Sequence, residues 1–189
     1  MESGEKMSTL SLLLCFALFA VATASEILVT FGVPSSSKHS AGLYWAGNDK
    51  SPRISTVKPW FGNSDSVELL VNVMGVGSTQ SEQVFSPTSF VVRSADLTSR
   101  MRVTIGFNDK GGKLDKDRPY TISFVNLSVE DRHGPFPLEL QHSNAGYVWI
   151  DPSEVVEHIT GPNHIFTVRD KQKQAIFSVI VNGPVAKEL

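Results

Sequence analysis

Hydrophobic and polar residues alternate along most of this chain. Val67, Leu69, Val71 and Val73 fall on one face, with Glu68 and Asn72 on the other. Met101, Val103, Ile105 and Phe107 repeat the pattern against Arg102, Thr104 and Asn108, and Tyr120, Ile122 and Phe124 against Thr121 and Ser123. A period of two marks a strand with one buried face. Shorter runs of the same kind lie at 26–31, 43–46, 53–57, 90–93, 147–150 and 174–181. Turn residues separate them: Asn48-Asp49, Gly62-Asn63-Ser64-Asp65, Asn108 to Gly112 and Asn182-Gly183-Pro184. Many short strands with such punctuation predict an all-β protein, an immunoglobulin-like antiparallel sandwich.

One departure from alternation is expected. In Asp151-Pro152-Ser153-Glu154-Val155-Val156-Glu157-His158-Ile159, the aspartate can cap a helix and the proline suits its first position. Glu154, three residues after the cap, completes a capping box. This predicts a short helix of about two turns. Serine-rich 34–41 and the Gly-Pro-Phe-Pro stretch within 130–137 read as loops. The second loop sets the expected organisation: a sandwich over 25–130 and a smaller β unit over 131–189. That unit either stands apart or completes the same sandwich.

The first 24 residues carry an apolar centre, Leu10 to Val21, followed by Ala22-Thr23-Ala24. This is the layout of a secretory signal peptide cleaved after Ala24. Its apolar run is shorter than the roughly 20 residues a bilayer span needs. Nothing later in the chain has the length and apolarity of a spanning helix, so no membrane span is expected after cleavage. The formal net charge of −2 argues against nucleic acid as a partner. The single cysteine, Cys15, lies in the leader, so no disulfide can form within the processed chain. That favours a bacterial periplasm or an ER-type lumen over an animal extracellular space; taken with the leader, the expected location is the periplasm or the extracellular space, with an ER lumen the lesser alternative. The ending Ala186-Lys187-Glu188-Leu189 shares only its last two residues with a lumenal retention signal.

Candidate chemistry is sparse. No cysteine nucleophile and no Gly-x-Ser-x-Gly elbow follow the leader, and the glycines at 111–112 read as a hairpin turn. No enzyme activity, cofactor or metal is therefore expected. The nearest approach to a metal site is Glu154 with His158 on one helical face and His164 beyond the turn. Asn126-Leu127-Ser128 matches a glycosylation acceptor, but alternation turns Asn126 inward with Phe124. The aromatic pairs Tyr44-Trp45, Trp60-Phe61 and Tyr147-x-Trp149 could form a sugar platform, although core filling is their commoner fate.

Three segments in order, 52–77, 85–105 and 114–129, resemble the N-terminal domain of PapD-like periplasmic chaperones that assist pilus assembly. The resemblance rests on Pro87 to Phe90, on Arg100 or Arg102, and on Asp117-Arg118 with Tyr120 and Phe124. It implies an exported, non-enzymatic protein that binds another protein through a sheet edge. Such a chaperone donates a strand to an incomplete subunit, and basic residues anchor the client's terminal carboxylate. Here the strand would be 145–151, with Tyr147 and Trp149 on one face and Val148 and Ile150 on the other. Arg53 and Lys58 would be the anchors. The strand lacks the basic residue the family keeps there, and the chain beyond 151 is too short for a second full domain. The alternative is a secreted or lumenal structural or adhesive sandwich with no client cycle.

Overall fold

The computed structural model describes residues 26–46, 68–96, 99–108, 116–127, 137–143 and 146–185. They form twelve strands: β1 (Glu26–Gly32), β2 (Ala41–Trp45), β3 (Leu69–Met74), β4 (Thr79–Phe85), β5 (Thr88–Ser94), β6 (Arg100–Phe107), β7 (Tyr120–Asn126), β8 (Leu138–His142), β9 (Gly146–Ile150), β10 (Val155–Thr160), β11 (His164–Arg169) and β12 (Ala175–Pro184). Two six-stranded antiparallel sheets result. The first runs β4-β1-β12-β11-β8-β9 and the second β10-β7-β6-β5-β2-β3. The protein is all-β and sandwich-like. Strands from both sides of residue 130 contribute to each sheet, through the pairings β1 with β12 and β7 with β10. Residues 1–24, expected to be a signal peptide, and Arg53 and Lys58 lie outside the described residues.

The alternating residues do what their period requires where the strand lies inside a sheet. Met101, Val103 and Ile105 on β6 and Tyr120, Ile122 and Phe124 on β7 are buried together. They meet the inward residues of the other sheet: Phe31 of β1 packs on Phe90 of β5 at 4.9 Å, and Phe124 of β7 on Phe166 of β11 at 5.4 Å. Tilted rings at such distances fill an inter-sheet core efficiently. β3 is different. Its Val71 and Val73, expected to share a buried face, are exposed, because β3 ends its sheet and a register irregularity interrupts its pairing with β2.

The helix expected at 151–159 is absent. Asp151 to Glu154 form a turn, in which the Glu154 N–H donates to the Asp151 carbonyl at 2.9 Å and Ser153 takes a positive φ of 68°. The capping-box contact is still made, the Asp151 N–H donating to Glu154 Oε2 at 2.9 Å. It closes a single turn and does not propagate. Val155, Val156 and Ile159 are β-branched and lose freedom in a helix, while a helical nucleus gains little until it lengthens. A six-residue ladder with β7 supplies the better partner. The turn therefore carries the chain from the last strand of one sheet, β9, to the last strand of the other, β10.

That crossover is tied down by Asn126. Its side chain is fully buried, and its Nδ2 donates to the Ile150 carbonyl at 2.9 Å. Its own carbonyl accepts from Ser153 N–H at 2.8 Å. The apparent glycosylation acceptor is thus a core residue holding β9 and β10 in place.

Candidate interaction edge

Among the described residues, β9 pairs on one side only. Its ladder with β8 sets Leu138 opposite Ile150, Glu139 opposite Trp149, Leu140 opposite Val148, Gln141 opposite Tyr147 and His142 opposite Gly146. In an antiparallel edge strand, alternate residues direct their N–H and C=O away from the neighbour. The sequence Gly-Tyr-Val-Trp-Ile contains neither charge nor proline, the features that usually blunt an exposed edge.

The side chains follow the strand's alternation, but burial does not split cleanly between the faces. Tyr147 and Trp149 lie on the outer face at 55% and 46% exposure. Val148 and Ile150 face the other sheet; Ile150 is buried, whereas Val148 remains 40% exposed at the open margin. The two aromatics are therefore not core residues, contrary to the commoner fate expected for them. Among the other pairs, Trp45 packs on the core edge and Tyr44 lies beneath Arg93, whose guanidinium carbon is 4.9 Å from the ring centre. Trp60-Phe61 fall outside the described residues.

Beside β9 the outer face is ionic. Glu139 is only 4% exposed, with Arg169 Nη1 4.0 Å from its Oε2, and the Arg169 guanidinium sits 5.4 Å from the centre of the Tyr147 ring. A cation over an aromatic face at an exposed site is worth about 0.5–1 kcal/mol. These contacts brace Tyr147, and among the described residues no strand pairs with the backbone edge beyond it. A second ionic group lies on the other sheet, where the buried Glu68 carboxylate accepts from both Arg93 of β5 and Arg100 of β6. The resemblance rested on Arg100 or Arg102, and it is Arg100 that the fold places on Glu68.

Glu154, His158 and His164, the nearest approach to a metal site in the sequence, are not brought together. In a strand, residues four apart are separated by about 13 Å, and Glu154 is engaged with the Asp151 N–H. His158 and His164 do come close to one another, but through His142, which the sequence did not single out. His142 Nε2 lies 3.2 Å from His164 Nδ1, and the His142 ring centre is 5.9 Å from that of His158. Thr160 Oγ1 is 2.9 Å from the same His164 nitrogen, and His142 stacks on Phe166 at 4.5 Å. Burial holds His142 below the ordinary imidazole pKa, and the neighbouring His164 and His158 lower it further; burial likewise lowers His158. Among the described residues no three His, Cys, Asp or Glu side chains are placed to hold a metal ion.

A cavity of about 290 Å³ is lined among others by Lys38, His39, Asp96, Leu138 and Gln174. Its main polar contact is internal, His39 Nε2 to Asp96 Oδ2 at 3.4 Å. Among the described residues no helix is long and apolar enough to cross a membrane. No family model, curated protein or solved structure matches the chain.

Proposed function

We propose that this is an exported, non-enzymatic binding protein that engages another protein by strand addition at β9. The observation that carries the reading is the combination found at that strand: a sheet margin, no charge or proline, and three exposed apolar side chains, Tyr147, Val148 and Trp149. An added strand would gain backbone hydrogen bonds along the ladder and side-chain contacts at every second position. Aromatic residues on such an edge supply contact area with few rotatable bonds to freeze.

The narrower proposal is chaperone work on an incomplete sheet, in an immunoglobulin-like framework. Its support is that the residues carrying the PapD-like resemblance occupy three successive neighbours in one sheet. Pro87 leads into β5, Arg100 and Arg102 lie on β6, and Asp117-Arg118 lead into β7. Arg53 and Lys58 remain the proposed anchors for a client's carboxylate. The competing reading, a structural or adhesive module without a client cycle, is favoured by β3. It is a second uncharged margin with Leu70 and Val73 exposed, and a module with two such margins can be laid into an array.

The test is Val148→Asp. A carboxylate at this open margin would lie beside the inward side chains of an added strand, so capture of a partner from a secretory or periplasmic extract is lost while the melting temperature moves by only a few degrees. Capture undiminished by the substitution would remove β9 from the binding site, and collapse of the fold would make Val148 a core residue.

A further inference from the structure

The three imidazoles of His142, His158 and His164 come from different strands of both sheets. His142 ends β8 and His164 begins β11 in the first sheet, while His158 lies on β10 at the margin of the second. All three face inward around Phe166, whose ring centre is 4.5 Å from that of His142 and 5.5 Å from that of His158. His142 is also the residue paired with Gly146, so it anchors the first rung of β9. The other end of β9 runs through the Asp151 turn into β10. The cluster thus includes the residue paired with the first position of β9 and a residue of the strand that follows β9.

We propose that this trio is a proton-operated latch on β9: neutral, it holds the binding edge in register, and charged, it releases it. The latch rests on the reading of β9 as the binding edge. Its chemistry lies in the contact at 3.2 Å between His142 Nε2 and His164 Nδ1. That contact needs one N–H and one lone pair, so a single proton can be shared across it. When both rings are charged, two N–H groups confront each other and the bond is gone. His142 Nδ1 and His158 Nε2 are buried without a hydrogen-bond partner, so charge arriving there meets no compensating acceptor.

The surrounding groups do not invert this logic. The charges that bear on His142 are the other two imidazoles. From β7 the titratable neighbour is Tyr120, opposite Thr160, and burial raises its pKa, which keeps it neutral. Glu157 of β10 and Glu139 of β8 lie on the outward faces by alternation, and Arg169 closes the far end of β11. Asp151 and Glu154 belong to the turn, and Asp117 presents its backbone carbonyl to Gly161.

The sign follows from the lowered values. For His142 and His158 the unfolded chain takes up protons first, at about pH 6.5. The stability they support is full above that pH and falls as the pH drops from there towards the folded-state values. A cluster that spans the two sheets localises the loss at the β8–β9 and β10 margin.

Hydrogen exchange of the whole protein, corrected for intrinsic rates and run with a chelator, tests this at about pH 7.5 and about pH 5.5, either side of the ordinary imidazole value. Residues 138–150 are expected to lose protection several-fold in acid relative to β5 and β6. His142→Phe, which keeps a ring on Phe166, and His158→Gln should each flatten that response. A β9 whose protection ignores pH, or variants that respond as wild type does, would overturn the latch. Should the variants fail to fold, ring-proton titration of the wild type decides: His142 and His158 protonating below the ordinary imidazole value supports the latch, and the two protonating independently at that value overturns it. Exchange that is flat with pH while Val148→Asp abolishes capture sinks the latch alone. Acid-dependent exchange with capture indifferent to Val148→Asp sinks the edge reading and leaves the latch as a property of β9.

Discussion

Asn126 shows how much one polar residue can decide. Placed inward by the alternation of β7, it would be an expensive burial without partners. Its side-chain Nδ2 finds one in the Ile150 carbonyl, while its main-chain carbonyl accepts from Ser153 N–H. Replacing it with alanine leaves the Ile150 carbonyl unsatisfied in the core, a cost of about 1–3 kcal/mol. Chemical denaturation of Asn126→Ala should show that loss with an unchanged denaturant slope; a stability equal to wild type would mean that the crossover is not anchored there. The histidines make a parallel point. His158 and His164 stood out in sequence only beside Glu154 on a supposed helix, His142 did not stand out at all, and only the apposition of the sheets brings the three rings into one cluster.

Among the strands, β9 and β10 carry most of the functional argument and were unequally legible. Residues 147–150 announced a strand by their apolar, aromatic and β-branched content, but nothing local says which strand ends a sheet. Two truncations expose that difference. Ile150→Ala removes buried core volume and should cost about 2–5 kcal/mol. Val148→Ala, at a half-open margin, should cost about 1 kcal/mol or less. Equal costs in equilibrium unfolding would show that β9 is covered. β10 was misread because Asp-Pro-Ser-Glu is sound capping chemistry, and its contact does form. The β-branched residues that follow pair with β7 instead, a tertiary choice that outweighs local signals. β4 escaped the pattern for another reason: its Thr-Gln-Ser-Glu-Gln run is a sheet margin beside β1, with a polar composition that hides its strand character.

At the scale of the molecule, the all-β character and the two-layered core follow from period-two patterning, since half-buried sheets must face one another. The sheet order does not follow from it. It brings the C-terminal β12 between β1 and β11, and it puts β9 and β10 at the margins of different sheets, joined by one short turn. The proposed function lives in that arrangement: a binding strand whose two attachments lie in different layers. Hydrogen exchange on the purified one-to-one complex with its captured partner examines it most directly. Added protection concentrated in the amides of 146–150, with β3 and the rest of the outer faces unchanged, is the predicted result. Protection that leaves β9 as it was and appears elsewhere would contradict strand addition at this edge.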